Sequence, residues 1–204
     1  MMPITDYIGW ARGKKLDMDG VPTDQPYQCV DLIKYAMEKC YGIKNFTFTT
    51  KSNPHGYAKG LFENFDEYPQ LKGKFVKIKN TPSFVPQVGD IVEWGYYKGV
   101  TGQAGHTALA EGENIGTSKF VSLDQNWGKQ YFCTDVTHNY KGVLGVIRPL
   151  LKCTTANLNV RKGPGKTYEI VDVLDRGTLV KPLTYKNGWA KLGEDRWVCA
   201  DYIE

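Results

Sequence analysis

No apolar run in this chain exceeds a few residues, far short of the roughly 20 that cross a bilayer as a helix, so membrane insertion is not expected. The start, Met-Met-Pro-Ile-Thr-Asp-Tyr, lacks a basic segment followed by an apolar one, which points to synthesis without a secretory signal. Five cysteines, with no CxxC pair and only three histidines beside them, make neither a disulfide scaffold nor a zinc finger, and the thiols are expected to be free. Neither sign of charge dominates. The 26 Lys and Arg against 22 Asp and Glu leave +4, too little to imply nucleic acid as a partner. What the chain does have is 22 glycines, 13 tyrosines and 5 tryptophans, a balance that favours short strands and turns over helical bundles. With 41% hydrophobic residues in 204, it can bury one medium core, or one core plus a small satellite.

The first part reads as mixed α and β. Asp6 to Ala11 is a short helical candidate, and Val30, Ile33, Ala36, Met37, Cys40 and Tyr41 recur near helical period from Cys29 to Tyr41, where Gly42 ends the pattern. Asn53-Pro54 reads as an N-cap and first turn of a helix running toward Phe65. Phe75 to Lys79, Asp90 to Trp94, His106 to Glu111, Lys119 to Asn126 and Gly142 to Ile147 are short β-branched or aromatic segments between turn residues, which predicts antiparallel strands. Helices first and strands afterwards give an α+β domain over residues 1–149. From about Lys152 the texture changes to five strand-length segments with turns every 8 to 12 residues or so, the pattern of a small all-β barrel over residues 150–204.

Cys29 opens the long helix. It suits ordinary core packing, but in a first turn the unpaired backbone N–H groups and the helix dipole favour the thiolate, the form that a nucleophile needs. His106 follows Gly105 at the start of a strand, a place for either a structural histidine or a base. In Phe120 to Trp127, a period of two puts Asp124 and Asn126 on one face and Gln125 and Trp127 on the other. A neighbouring strand carrying His106 then meets an acid and an amide that can hold the imidazole in one tautomer, leaving its other nitrogen for a thiol proton.

The segments Tyr27-Gln28-Cys29-Val30-Asp31-Leu32, Gly89-Asp90-Ile91-Val92-Glu93-Trp94, Gly105-His106-Thr107-Ala108 and Ser122-Leu123-Asp124-Gln125-Asn126-Trp127, in that order, resemble the CHAP family of cysteine, histidine-dependent amidohydrolases and peptidases, especially the catalytic domains of bacteriophage endolysins. The likeness covers about residues 5–149. It implies a papain-like fold with N-terminal helices packed on an antiparallel sheet. It also implies Cys29 as nucleophile, His106 as general base and later acid, Asp124 as the residue orienting the imidazole, and Asn126 as a supporting polar group. Many relatives carry Glu where this chain has the shorter Asp124. An NlpC-type cysteine peptidase is a competing family, but its usual Asp-Cys-Ser signature is absent around Cys29.

Asp17-Met18-Asp19-Gly20-Val21, with Asp24 and Asp31 nearby, forms an acidic cluster that reads either as a solvated turn or as hard oxygen ligands for a cation. Some CHAP endolysins resemble this segment, with a DxDG calcium site ahead of the nucleophile. That resemblance implies Ca2+ held by Asp17, Asp19, the Val21 carbonyl and Asp31. No organic cofactor is expected.

Leu158 to Gly165, Gly188 to Leu192 and Trp197 to Ile203 resemble bacterial SH3-like wall-binding domains, which implies peptidoglycan or an attached wall polymer of a Gram-positive host as the partner. Tyr168, Tyr185, Trp189, Trp197 and Tyr202 supply aromatic surface, most of it expected to be used in packing. The combined expectation is a peptidoglycan hydrolase that cuts an amide in the stem peptide, its cross-bridge or the muramoyl-L-alanine link. By the same resemblance it accumulates in the host cytoplasm until a membrane-permeabilising protein gives it access to the wall. A noncatalytic wall-binding protein is the competing class.

Overall fold

The computed structural model describes residues 2–18, 28–115 and 118–203, which form two units, 1–148 and 149–204. The first unit has an α+β layout. Its helices are α1 (Ile4–Ala11), α2 (Cys29–Tyr41) and the single turn α3 (Gly60–Glu63). Six strands follow: β1 (Phe75–Lys79), β2 (Ile91–Trp94), β3 (His106–Ile115), β4 (Lys119–Asp124), β5 (Thr134–Asn139) and β6 (Val143–Pro149). They make one sheet in the order β1-β6-β2-β3-β4-β5, and the pairs from β6 across to β5 are antiparallel.

Helix α2 forms where its apolar spacing predicts. Asp31 at its third position accepts the Gln28 N–H at 3.0 Å, which satisfies one of the backbone donors exposed at a helix start. Gly42 ends it in the left-handed conformation, φ 64°. Its buried face, with Leu32, Ile33, Ala36 and Met37 fully enclosed, packs with Ile91, Leu109, Leu123 and Ile147 on one side of the sheet. At about 1.5–3 kcal/mol for each large aliphatic side chain, this layer is the main source of the unit's stability. The other side of the sheet carries a smaller cluster, Val92, Trp94, Ala108, Ala110, Phe120, Val143 and Val146, covered by Phe84. Both faces of the central strands are therefore buried, and polar groups placed there need partners.

The helix predicted from Asn53 does not form. Asn53 is buried and anchors a loop instead: its amide donates to the Phe48 carbonyl (2.7 Å) and the Tyr57 carbonyl (2.9 Å), and its oxygen accepts the Tyr57 N–H (3.1 Å). The helical turn comes later, at α3. Strand β5 was not foreseen, because only Val136 in Thr134–Asn139 has the β-branched apolar character that marks a strand.

The second unit is all β: β7 (Leu151–Lys152), β8 (Leu158–Arg161), β9 (Ile170–Leu174), β10 (Leu179–Val180), β11 (Thr184–Lys186), β12 (Trp189–Gly193) and β13 (Arg196–Cys199). One sheet runs β11-β12-β13-β8-β9, and β10 pairs with β7. The five strand-length segments become seven strands among the described residues; Lys181-Pro182-Leu183 separates β10 from β11, because proline cannot donate to a ladder. The core is aliphatic: Leu158, Val160, Val180, Ala190, Val198 and Ile203 with Cys153. This corrects the expectation that the barrel's aromatics serve mostly in packing. Tyr168, Tyr185 and Tyr202 are each exposed by more than two fifths, and Trp189 and Trp197 are only half-buried. Among the described residues no helix is long and apolar enough to cross a membrane.

Candidate active site

Cys29 is the first residue of α2 and is half-buried. His106 is the first residue of β3 and Asp124 the last of β4; the two strands are neighbours in the sheet. Gly105 makes the approach to His106 possible. It has φ 71°, and a Cβ there would collide with the Trp94 carbonyl and with Lys59. The glycine ahead of the histidine thus serves close passage of strand β2.

His106 Nε2 lies 2.7 Å from Asp124 Oδ2, and the same imidazole is within electrostatic reach of the Cys29 side chain. With Nε2 taken by the carboxylate, Nδ1 is the nitrogen left for sulfur. Burial by itself would lower the His106 pKa. Interaction with the Cys29 side chain and the hydrogen bond to Asp124 outweigh it and raise the pKa to about 10. Burial would raise the Asp124 pKa, but its hydrogen bonds to His106 and His138 bring it below the usual carboxylate value. At neutral pH the pair is therefore an imidazolium beside a carboxylate.

Asp124 is fully buried and receives more than the sequence pattern suggested. Ser122 Oγ donates to Oδ1 at 2.7 Å, and His138 Nε2 lies 3.1 Å from both carboxylate oxygens. Rings enclose this polar group. Trp127 sits 4.9 Å from His106 and 4.5 Å from His138 between centroids, and Trp94 sits 5.4 and 4.8 Å from the same two rings. Such a low-dielectric surround strengthens each hydrogen bond inside it.

Asn126 is not delivered beside Asp124 by strand alternation. Strand β4 ends at Asp124, and Asn126 takes a left-handed φ of 63°, its N–H bonded to the Gln130 carbonyl at 2.7 Å. The alternation predicted for residues 120–127 stops at Asp124, three residues early, and Trp127 rather than Asn126 joins the histidine side. Gln125, on the face away from Asp124 in the strand pattern, is fully buried and saturated. Its amide nitrogen donates to the Leu16 and Gln28 carbonyls, each at 2.8 Å, and its oxygen accepts the Leu16 N–H at 2.8 Å and the Cys133 thiol at 3.3 Å.

Glu93 was likewise unforeseen as a site residue. It is completely buried on β2 opposite Thr107, whose hydroxyl donates to Oε1 at 2.7 Å, while Oε2 has no partner among the described residues. Burial pushes its pKa well above the ordinary value, and the Cys29 charge adds to that push against the opposing Thr107 bond and His106 charge. Burial thus favours the neutral form of Glu93, which lies within the field of the Cys29 and His106 pair.

Of the residues implied as calcium ligands, Asp19 and Val21 lie outside the described residues. Asp17 is half-buried and its carbonyl accepts the Tyr35 hydroxyl at 3.3 Å. Asp31 Oδ1 meets the Lys34 ammonium at 3.1 Å, so a cation binding at that oxygen has to displace Lys34. Among the described residues no group of three or more His, Cys, Asp or Glu is placed to hold a metal. A groove of about 500 Å³ runs beside the start of α2, lined by Gln28, Val30, Lys34, Phe46, Thr47 and His55 among others.

Residues 156–204 match the family model of the bacterial SH3 domain. The chain is 31% identical over 140 residues to the endolysin PlyTW of Staphylococcus phage Twort, a match over 65% of this chain and 26% of that protein. Among solved structures it is similar to the wild-type endolysin LysIME-EF1, with 30% identity, a TM-score of 0.54, and coverage of 73% of this chain and 65% of the other. Ly7917 shares the fold at 17% identity and a TM-score of 0.51, over 96% of this chain and 90% of its own. The chain thus spans about a quarter of the curated relative's length and just under two thirds of LysIME-EF1.

Proposed function

We propose that the protein is a peptidoglycan hydrolase of the endolysin type, with a CHAP-like thiol amidohydrolase or peptidase in residues 1–149 and a bacterial SH3 domain that binds the wall. The observation that carries this reading is the His106–Asp124 hydrogen bond beside Cys29 at the start of α2, in a chain whose C-terminal part matches a bacterial SH3 domain. The likeness to two endolysins supports it.

In this reaction the Cys29 thiolate attacks an amide carbonyl, forming a C–S bond. The His106 imidazolium then gives its Nδ1 proton to the departing nitrogen as the C–N bond breaks. Water, losing a proton to the now neutral imidazole, hydrolyses the thioester. The backbone N–H of Cys29, one of the donors that a helix start leaves without an intrahelical partner, is the candidate donor for the oxyanion. The resemblance gives Asn126, in the turn that follows β4, as a supporting polar group. Stem-peptide, cross-bridge and muramoyl-L-alanine amides all suit the same nucleophile, and mass spectrometry of digested wall fragments names the bond.

The decisive experiment adds purified protein to Gram-positive walls. Cys29→Ala should sediment with the walls and release no new amine, whereas equal release by the variant and the parent removes Cys29 as nucleophile. For the acidic segment, oxygen donors from Asp17, Asp19, the Val21 carbonyl and Asp31 would hold calcium, a cation that suits hard ligands. A chelator should then lower thermal stability and added calcium restore it; indifference to chelation rules the site out. Access to the wall from the host cytoplasm, through a separate membrane-permeabilising protein, belongs to the same proposal.

A further inference from the structure

We propose that His138 is a positioning residue for this reaction, holding the Asp124 carboxylate in the one orientation that fixes the His106 ring. The proposal rests on the thiol-hydrolase reading above. The geometry separates His138 from the other partners of Asp124. Ser122 contacts Oδ1 alone and His106 contacts Oδ2 alone, at 2.7 Å each, while His138 Nε2 lies 3.1 Å from both oxygens. A donor equidistant from both oxygens resists rotation of the carboxylate about its Cβ–Cγ bond, which the two single contacts do less well. That matters for an aspartate, whose short side chain has to present one oxygen to His106 from the end of β4.

The surroundings give a second argument. His138 has a side chain only 3% exposed, enclosed by Trp127 at 4.5 Å, Trp94 at 4.8 Å and Phe120 at 5.6 Å between ring centroids. A phenylalanine of similar size would fill such a cage without burying ring nitrogens, which are costly unless hydrogen-bonded. The Nε2 bond to Asp124 is what an imidazole adds. The imidazole comes from β5, an edge strand otherwise made mostly of polar residues, so the reacting pair is braced from a third strand as well as from β3 and β4.

The test compares His138→Phe, which keeps the ring and removes the donor, with His138→Gln, which places an N–H at a similar reach. On Gram-positive wall preparations, His138→Phe should lower kcat about 10- to 100-fold with KM little changed, because misplacing a reacting group by ~1 Å costs on the order of 100-fold. His138→Gln should recover most of that loss. In 15N-histidine-labelled parent protein, the His138 Nε2–H should exchange slowly with solvent, and the His106 Nε2–H signal should move in His138→Phe but not in His138→Gln. An active parent with an unchanged, folded His138→Phe variant overturns this proposal alone. Fast exchange of the His138 Nε2–H in the parent overturns it without any variant, should His138→Phe fail to fold. A parent as inactive on walls as Cys29→Ala overturns the hydrolase reading and this proposal with it.

Discussion

Asp124 and Gln125 are consecutive in the chain and hold the two halves of the candidate site from opposite sides. Asp124 bonds His106, and Gln125 bonds the carbonyl of Gln28, the residue before Cys29. One strand end therefore sets both the base and the nucleophile. Gln125→Met keeps the size and removes the polar amide, so the Leu16 N–H and carbonyl lose their Gln125 partners, while the Gln28 carbonyl keeps the Asp31 N–H. With roughly 1–3 kcal/mol for each buried polar group left unpaired, the variant should lose at least ~2 kcal/mol of stability and melt several degrees lower. Wall hydrolysis per folded molecule should fall as well, because the start of α2 is no longer tied to β4. Parental melting and parental rate together would show that the Gln125 contacts hold nothing in place.

The raised pKa of His106 sets a pH window. Imidazolium is the acid for the departing amine, so kcat/KM should stay high above neutrality and fall as the pH passes about 10. The same shift affects stability. The folded pKa exceeds the ordinary value of 6.5, so the ion pair's contribution from His106 is fully present below that value and lost as pH rises through about 10. Since the Cys29 charge is a principal cause of the rise, Cys29→Ala should bring the His106 titration, followed by the imidazole proton signals in NMR, down from about 10. A variant that still titrates there would mean that the thiol is not the partner.

Glu93 makes the opposite demand on the fold. Its folded pKa lies well above the ordinary 4.5, so above that pH the unfolded chain releases a proton that the folded chain keeps. Stability then falls with rising pH through this window, by at most ~1.4 kcal/mol per pH unit for one proton. Glu93→Gln stays neutral in both states and removes that slope. Melting curves of parent and variant from about pH 5 to about pH 9 should diverge, the variant gaining as pH rises. A difference that stays constant with pH would show that Glu93 ionises in the folded protein as it does in water.

Much of this architecture is legible in the residues, and what is not has identifiable causes. Helix α2 and the placement of Cys29 on its first turn follow from apolar spacing and the Asp31 and Gly42 caps, which are local signals. His106 and Asp124 come together because consecutive strands pair, as sequence neighbours usually do. Asn126 escapes because strand ends are not encoded by alternation, and its left-handed turn has no strong marker ahead of Gly128. His138 escapes because β5 lacks an apolar pattern; only the third dimension shows that its one buried imidazole reaches back to Asp124. Glu93 looks in sequence like one polar residue in an apolar strand, which ordinarily means the solvated side. Here both sides of the sheet are covered, and the inference reverses.

The pair Asp90 and Arg148 offers a test of how the first unit is closed. Asp90 precedes β2, Arg148 sits near the end of β6, and they meet in a two-point contact, Nε to Oδ1 at 2.7 Å and Nη2 to Oδ2 at 2.6 Å. Both side chains are buried, with Asp90 1% and Arg148 8% exposed. Burial works against the Asp90 charge, and Arg148 offsets it only in part, leaving the Asp90 pKa above its usual value. A buried pair like this gives little net stability against a well-packed apolar replacement, but losing one partner strands the other charge. Asp90→Asn should therefore cost about 3–5 kcal/mol in chemical denaturation, whereas the double change Asp90→Asn with Arg148→Met should recover a substantial part of it. Equal losses in the single and double variants would mean that packing around Arg148, through its apolar stem, matters more than its charge.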